Sequence, residues 1–259
     1  MVIDPKFPWK LPRANSEFPR YPYRMSVAEW EALLDKAKHG NPEAEWEVSG
    51  RFEDGCKDKK GKILVKRSAR KAAEWLRRAA EHGCAPAQCS LGVLVGDTCA
   101  ALVWLMKSFR AGETVAASNI AITYRQMGDF RKAVQWFRKS VASGDDDALI
   151  QLGIHYYWGK GVRKNAVVAV RCFRKATKGK NICEAGRDDA FFYLGIAYLE
   201  GKGVAQSIPT ARKLFQRANV DSDHPAAHRA LQELTRSPGQ LENDPRGNAA
   251  TDIDLIDYH

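Results

Sequence analysis

Two histidines near the C-terminal end of the chain have a spacing that could bind a metal ion. His224 and His228 lie four residues apart, so on a helix both imidazoles would project from one face. The residues between them are Pro225, Ala226 and Ala227, which lack the glutamate general base of the H-E-x-x-H pattern. Because the pair also coincides with the predicted start of the last helix, we interpret it as two surface histidines and predict no metal site.

The cysteines and the remaining motifs offer no catalytic chemistry either. Six cysteines are present without a C-x-x-C pair, and the densest group, Cys84, Cys89 and Cys99, matches no common zinc spacing. Disulfide frameworks are typical of short secreted chains, so this longer chain is expected to carry reduced, partly buried thiols. G-x-S-x-G, Walker A and Rossmann fingerprints are absent from the sequence. We therefore expect a protein that is not an enzyme, with no catalytic residue and no cofactor.

Any functional side chain would be positioned by helices, and the sequence patterns that predict these helices recur along the chain. In the first pattern, Ala is followed at offsets 4, 5 and 8 by an aliphatic residue, a small residue and a second large residue. The five copies begin at Ala44, Ala87, Ala116, Ala148 and Ala190. These offsets share one helical face, and the small residues let neighbouring helices approach closely. Glycine inside a helix costs about 1 kcal/mol against alanine, so its recurrence at offset 5 indicates a packing requirement.

A second pattern follows each copy of the first and predicts a second helix. It starts with Ala, continues with large residues at offsets 3 and 4, and has a small residue at offset 7. The five copies begin at Ala72, Ala101, Ala133, Ala169 and Ala211. The first four of these helices are predicted to end at a left-handed glycine. Those glycines are Gly83, Gly112, Gly144 and Gly179.

The spacing between the two patterns predicts the fold. Each second-helix Ala precedes the next first-helix Ala by 15 residues at 72→87, 101→116 and 133→148, whereas the step 169→190 is 21. The contact between successive helix pairs is therefore fixed while loop lengths vary, as in stacked helical repeats. The sequence predicts an all-α protein, an α/α superhelical solenoid of about five helix-pair repeats plus terminal capping helices.

Composition divides the chain into three predicted regions. Residues 1–25 combine five prolines with interleaved aromatic residues, which favours an extended arm that docks on the folded body. A capping box at Ser26-Val-Ala-Glu29 starts the first helix, and the solenoid covers residues 26–235. Residues 236–259 mix prolines and glycines with acidic residues, which indicates a flexible acidic tail.

The charge balance raises the question of an acidic partner. The chain of 259 residues carries a formal net charge of +10. Its basic residues concentrate in a lysine-rich insertion at 57–71 and in exposed positions of the second helices. Since no recognition fold or base-stacking set accompanies them, we favour an acidic protein partner, or solubility, over nucleic acid. Because no run of about 18 apolar residues exists, we expect no association with a membrane.

Two stretches of the chain resemble the Sel-one-like repeat, the longer-looped relative of the tetratricopeptide repeat. They are Leu-Gly-Ile-His-Tyr-Tyr-Trp-Gly-Lys-Gly-Val at 152–162 and Leu-Gly-Ile-Ala-Tyr-Leu-Glu-Gly-Lys-Gly-Val at 194–204. Residues 75–83, Trp-Leu-Arg-Arg-Ala-Ala-Glu-His-Gly, are similar to the second-helix signature of that family. The resemblance covers roughly residues 26–235, although the unit at 87–112 lacks the G-x-G-V loop.

The resemblance implies a concave groove lined by the first helices. Members of the family are mostly protein-binding adaptors, and none of the motif residues is catalytic. Functional side chains are therefore expected off the pattern, at offsets 3, 7 and 10 from the first-helix Ala. The aromatic residues among them are candidate anchors, because such residues dominate interface energetics, with packing inside the solenoid as the alternative. The predicted partner-binding residues are Glu47, Arg51, Asn119, Thr123, Gln151, His155, Trp158 and Tyr193.

The sequence thus predicts a non-enzymatic module that binds a protein partner through its groove and irregular loops. Similar bacterial proteins include immunity proteins that occlude a secreted toxin, and this short, divergent set of repeats suits one dedicated partner. The alternative is a basic nucleic-acid-associated module. The N-terminal residues form no secretory signal, so we expect the cytoplasm, or the periplasm if a signal peptide has been removed. The partner's identity and the oligomeric state stay open.

Overall fold

The computed structural model describes residues 23–220 and 224–235, which are largely helical. The predicted N-terminal arm up to residue 22 and the predicted acidic tail from residue 236 lie outside the described residues. The helices are α1 Val27–Lys38, α2 Pro42–Asp54, α3 Ala69–Glu81, α4 Ala85–Leu94, α5 Thr98–Arg110, α6 Ala116–Gln126, α7 Phe130–Ala142, α8 Ala148–Trp158, α9 Ala166–Ala176, α10 Glu184–Glu200, α11 Ile208–Ala218 and α12 Pro225–Thr235. The strands are β1 Tyr23–Arg24, β2 Cys56–Lys57 and β3 Ile63–Val65. In this part of the chain no helix combines the length and apolar character needed to cross a membrane.

Helices pair in the order that the two patterns predict. The chain divides into two compact units, residues 1–123 and 124–259. In the first unit α2 packs on α3 and α4 on α5, and α3 also contacts α4. In the second unit α8 packs on α9 and α10 on α11, while α7, α9 and α12 each contact the neighbouring pair. This alternation confirms the prediction of an all-α, α/α solenoid.

Where offset 5 of the first helix is glycine, that glycine lies against a large residue of the second helix. A Cβ added to Gly153 would lie 2.3 Å from a ring carbon of Phe173, and one added to Gly195 would lie 2.6 Å from Phe215. Both phenylalanine side chains are fully buried. In α2 the equivalent residue is Ser49, whose hydroxyl donates to the carbonyl of Ala72 at 2.8 Å. The recurring small residue therefore meets a packing requirement, as predicted.

The left-handed helix ends are confirmed at three of the four predicted glycines. Gly83, Gly112 and Gly144 have φ values of 100°, 98° and 93°. The prediction is wrong at Gly179, which is not among the glycines with positive φ. Helix α9 instead ends at Ala176 and is capped by Thr177, whose backbone is right-handed with φ −59°.

A longer connection after α9 explains this difference. Helix α10 begins at Glu184, well before Ala190, so the extra residues of the 21-residue step form its first turns. The connection is fastened by Asn181, whose backbone N–H donates to Asp146 Oδ2 at 3.0 Å. Gly179 also lies close to Asp146, since a Cβ there would approach that side chain to 2.8 Å.

The start of α1 is built as the capping box predicts. The Ser26 hydroxyl accepts a hydrogen bond from the Glu29 N–H at 3.1 Å, and Glu29 Oε2 accepts one from the Ser26 N–H. These hydrogen bonds lower the pKa of the Glu29 carboxyl, because they favour its charged form.

The lysine-rich insertion forms a small sheet that the sequence does not predict. Strand β2 pairs antiparallel with β3, and β1 pairs parallel with β2. Asp58 Oδ1 accepts hydrogen bonds from the N–H groups of Lys60 and Lys62 at 2.9 and 2.8 Å and so holds the hairpin turn. Since residues 58–62 show no alternation of apolar and polar types, the sequence predicts only a loop here.

Candidate functional site

The structure separates the predicted partner-binding residues into two groups. Glu47 is exposed, and Asn119, Gln151 and Trp158 are partly exposed. The other four are buried and cannot offer their side chains to a partner in this structure. They are Arg51, Thr123, His155 and Tyr193, with exposed fractions of 9, 6, 2 and 8 %.

Offset 7 is a packing position in α6 and α8, where the sequence predicts a side chain that faces the groove. His155, at offset 7 of α8, lies against the rings of Phe130 and Phe137 on α7, with centroids 6.1 and 5.7 Å away. Its Nδ1 donates to the carbonyl of Lys160 at 2.7 Å. Burial lowers the pKa of the His155 imidazole, because the cation would lose its hydration. Thr123, at offset 7 of α6, donates its hydroxyl to the carbonyl of Asn119 at 2.9 Å.

Two further predicted residues pair with each other on α2. Arg51 Nη2 donates to Glu47 Oε1 at 2.5 Å, four residues back along the helix. The Arg51 side chain is 11 % exposed and that of Glu47 is 48 % exposed. The arginine is therefore neutralised within its own helix, and the carboxylate is the part of the pair that solvent reaches.

An aromatic cluster in the second unit surrounds Trp158, one of the predicted anchors. We define it as Tyr157, Trp158, Phe173 and Tyr193. Tyr193 stacks on Phe173 with centroids 5.4 Å apart and interplanar angle 16°. Trp158 meets Tyr193 edge to face at 6.1 Å and contacts Tyr157 at 4.6 Å. The partly exposed Trp158 is thus supported from behind by buried rings.

The polar border of this cluster comes from the end of α10. Tyr157 donates its hydroxyl to Glu200 Oε2, and Lys202 Nζ lies 3.0 Å from the same oxygen. Burial together with the Glu200 carboxylate raises the pKa of the Tyr157 phenol, because ionisation would place a second negative charge beside the first. Gln151, seven residues before Trp158 on α8, accepts a hydrogen bond from Arg125 at 2.6 Å.

Many of the basic residues of the second helices lie over aromatic rings. Arg78 covers Trp75 with 4.3 Å between its guanidinium carbon and the ring centroid. Lys107 covers Trp104 at 4.4 Å, and Lys139 covers Trp136 at 3.8 Å. In each helix the cation follows the tryptophan by three residues. Part of the positive charge therefore shields partly exposed tryptophan rings as a feature of the repeat.

Sequence reasoning missed a second repeated contact, between an arginine and the tyrosine at offset 8. Arg138 Nη2 donates to the Tyr156 hydroxyl at 2.5 Å, and Arg174 Nη2 donates to the Tyr198 hydroxyl at 2.7 Å. The available signal was the recurrence of arginine at offset 5 of α7 and α9, ahead of each tyrosine.

The two histidines of the predicted surface pair have separate local roles. His224 Nε2 lies 3.2 Å from Asp189 Oδ1, and its Nδ1 accepts from the Ala227 N–H at 3.1 Å at the start of α12. His228 Nε2 lies 2.8 Å from the Gln232 side chain. Across residues 23–220 and 224–235 no group of three or more His, Cys, Asp or Glu side chains could hold a metal ion.

All six cysteines fall within the described residues, where no disulfide bond joins any two of them. Cys99 is exposed, whereas Cys172 and Cys183 are partly exposed. Burial raises the pKa of the Cys56, Cys84, Cys89 and Cys172 thiols, so these groups are poor nucleophiles at neutral pH.

Helix pairs with a recurring small-residue contact define an α/α solenoid of the tetratricopeptide-like kind. The model of the Sel1 repeat family matches residues 58–84, 124–145, 146–181 and 189–219. These four segments of the chain are therefore similar to Sel1 repeats. The unit at 87–112 falls between the matched segments, in keeping with its missing G-x-G-V loop.

Two solved structures with TM-scores above 0.5 share this fold at low sequence identity. A Sel1 repeat protein from Oxalobacter formigenes is 22% identical over 75% of this chain and 77% of its own, with a TM-score of 0.58. The protein c5321, a protective antigen of uropathogenic Escherichia coli strains with an SLR fold, is 24% identical over 79% of this chain, with a TM-score of 0.52. The match covers 51% of c5321, about half its length. The immunity protein Pa5087 from Pseudomonas aeruginosa is 14% identical over 83% of this chain and 78% of its own, with a TM-score of 0.44. No curated protein sequence matches the chain.

Proposed function

We propose that this module binds one dedicated protein partner, without catalysis, and that Trp158 anchors the partner on the second unit. The observation that carries the proposal is the partial exposure of Trp158 above Tyr157 and Tyr193. An indole held by packed rings loses little rotamer freedom when a partner covers it, so more of the contact energy is retained as affinity.

Two polar side chains, one on the same helix as Trp158 and one bonded to Tyr157 beside it, are candidates for the border of such an anchor. Gln151 is partly exposed on α8, and Glu200 is exposed at the end of α10. A partly exposed aromatic residue bordered by an amide and a carboxylate is typical of the centre and rim of protein interfaces. Glu47 and Asn119 in the first unit stay predictions as further contacts, since both side chains reach solvent.

The buried members of the predicted set are given a supporting role. Tyr193 supports Trp158 through an edge-to-face contact, and His155 fixes the turn after α8 through the Lys160 carbonyl. Arg51 and Thr123 likewise donate hydrogen bonds to acceptors on their own helices. Their substitution should therefore act on the stability of the fold before it acts on binding.

Capture of the partner with matched tryptophan variants tests this proposal. The full chain serves as bait as wild type, as Trp158→Ala and as Trp136→Ala, which removes a partly exposed tryptophan from the second helix α7 of the same unit. We expect Trp158→Ala to recover at least about tenfold less of the wild-type partner, because aromatic hot spots contribute about 2 kcal/mol or more. Trp136→Ala should recover it fully. Equal recovery of every protein by all three baits would contradict the proposal.

The narrower proposal is that the partner is a secreted toxin and that this chain is its immunity protein. The short set of repeats with irregular loops supports a dedicated partner. Co-expression with the product of a neighbouring toxin gene tests it, and growth should be restored by wild type but not by Trp158→Ala. Growth arrest in the presence of the wild-type chain would contradict this narrower proposal and leave the broader one standing.

The salt dependence of binding distinguishes a nucleic-acid partner from a protein partner. Phosphate contacts release counterions, so binding to nucleic acid would weaken steeply as the salt concentration rises. A complex anchored on Trp158 should depend more on the tryptophan than on salt. Recovery of nucleic acid at low salt that is unchanged in Trp158→Ala would favour the alternative.

A further inference from the structure

An open basic pocket lies in the second unit, where α7 and α8 meet the loop that leads into α9. Helix α7 contributes Arg138, helix α8 contributes Tyr156, and the loop contributes the remaining side chains. The lining residues are Arg138, Tyr156, Val162, Arg163, Lys164 and Asn165.

The loop that carries two of these cations is held on both sides. The Asn165 N–H donates to the Tyr156 carbonyl at 2.8 Å, and a Cβ on Gly161 would lie 2.3 Å from the Phe130 carbonyl oxygen. Gly159 and Gly161 both adopt left-handed φ, at 75° and 76°. The loop thus packs against the start of α7 and the end of α8, and the charges it carries are preorganised.

The positive charges in the pocket have no carboxylate partner in the parts of the chain that the structure describes. Arg138, Arg163 and Lys164 are all exposed, and none forms an ion pair there. Elsewhere in the unit, Lys132 pairs with Asp129 at 2.9 Å. Three neighbouring cations without a counter-charge raise the local potential and favour an anionic ligand.

The next repeat carries the same framework without the extra charge. Arg174 donates to the Tyr198 hydroxyl at 2.7 Å, and the guanidinium-to-ring distance of 5.9 Å equals that between Arg138 and Tyr156. After the matching G-x-G-V turn, however, Arg163 and Lys164 are replaced by Ala205 and Gln206. The repeat therefore forms its arginine–tyrosine contact without these two cations, so they are available for binding.

We infer that this pocket binds a carboxylate-rich segment of the protein partner, an inference that rests on the proposed function. A guanidinium pairs well with a carboxylate through parallel hydrogen bonds, and a lysine beside it can donate to a second acidic side chain. The pocket does not fit a nucleic-acid strand. The Tyr156 ring is covered by Arg138, and the two extra cations do not recur in the next loop to continue a phosphate track.

The corresponding loop of the next repeat indicates a variant of the pocket that should fold. The double change Arg163→Ala and Lys164→Gln installs the residues found at 205 and 206. The matched control, Arg171→Ala with Lys175→Gln, removes the same charge from exposed positions of α9 outside the pocket. The probes are a fluorescent peptide of alternating Glu and Gly, its Gln counterpart, and a single-stranded oligonucleotide of equal charge.

We expect the full wild-type chain to bind the Glu peptide and not the Gln peptide. The pocket variant should bind the Glu peptide about tenfold more weakly, in line with the loss of close charge pairs. The control variant should stay within about twofold of wild type, as expected for distant screened charges. Equal weakening by both variants, or no binding of the Glu peptide, would overturn the inference. The inference would also be overturned if the oligonucleotide bound more tightly than the Glu peptide and this binding were lost in the pocket variant. That result would assign the pocket to nucleic acid.

Partner capture separates this inference from the proposed function. If the pocket variant recovers the partner as well as wild type while Trp158→Ala does not, the pocket inference fails and the anchor proposal stands. If neither variant affects recovery, both proposals fail. Loss of the partner in both variants, with full recovery by the control variant, supports both.

Discussion

Gly153 of α8 lies directly against the ring of Phe173 on α9, with a Cβ position only 2.3 Å from a ring carbon. Phe173 is fully buried and cannot turn away from such an atom without disturbing its neighbours. This contact links the repeated glycine of the sequence to the spacing between the two helices of a repeat.

The first prediction concerns this contact. Gly153→Ala should lower the free energy of unfolding by about 1–3 kcal/mol, because overpacking outweighs the better helix propensity of alanine. Gly50→Ala is the matched control, since Gly50 is also helical and has no atom within 4 Å of its Cβ position. That control should be neutral or stabilising by up to about 1 kcal/mol. Urea unfolding measures both variants, and equal stability changes would contradict the packing explanation.

The second prediction concerns the turn between α8 and α9. Gly161→Ala combines left-handed φ with a Cβ 2.3 Å from the Phe130 carbonyl oxygen, whereas Gly128 has similar φ but nothing within 4 Å. Gly128→Ala should therefore cost only the left-handed penalty of about 1–2 kcal/mol. Gly161→Ala should cost clearly more, because the loop must also move away from α7. Thermal unfolding of the two variants side by side checks the difference, and equal losses would refute it.

The third prediction is a pH dependence from His155. Burial holds the pKa of this imidazole below its ordinary value, so the unfolded chain takes up a proton before the folded chain does. The stabilisation from keeping His155 neutral is complete above about pH 6.5 and is lost as the pH falls through the lower folded pKa. His155→Gln should flatten this fall in unfolding free energy. The control is His39→Gln, at a side chain 77 % exposed on the first unit, and an unchanged slope in the His155 variant would contradict the assignment.

The fourth prediction concerns thiol reactivity. Cys99 is exposed, whereas Cys56, Cys84 and Cys89 are buried with raised thiol pKa values. A disulfide reagent at neutral pH should therefore modify Cys99 first and the buried thiols last. Cys99→Ser should remove the fastest phase while the slow phases persist. A fast phase that survives this substitution would show that another cysteine is accessible.

The repeat could be predicted from the sequence because its packing rule recurs at fixed spacing. Gly153 and Gly195 occupy the same offset, and the structure places each of them against a buried phenylalanine. The hairpin around Asp58 could not be predicted, because its strands are two and three residues long and depend on pairing across the chain.

The candidate site was less predictable than the fold. Offsets 3, 7 and 10 lie on one side of an ideal helix, but whether they meet solvent depends on the neighbouring helix. Phe130 and Phe137 cover His155, while Trp158, one turn later, remains partly exposed. The sequence did not predict the basic pocket for a similar reason. Arg138 approaches the loop that carries Arg163 and Lys164 only when α7 and α8 pack together.

Oxidative footprinting of the two tryptophans with the captured partner bound is the most direct test of the central claim. Trp158 and Trp136 are both partly exposed in the second unit, so each should be oxidised in the free protein. We predict that the partner protects Trp158 strongly and leaves Trp136 unchanged. Protection of Trp136 with continued oxidation of Trp158 would place the partner on the second helices and contradict the account.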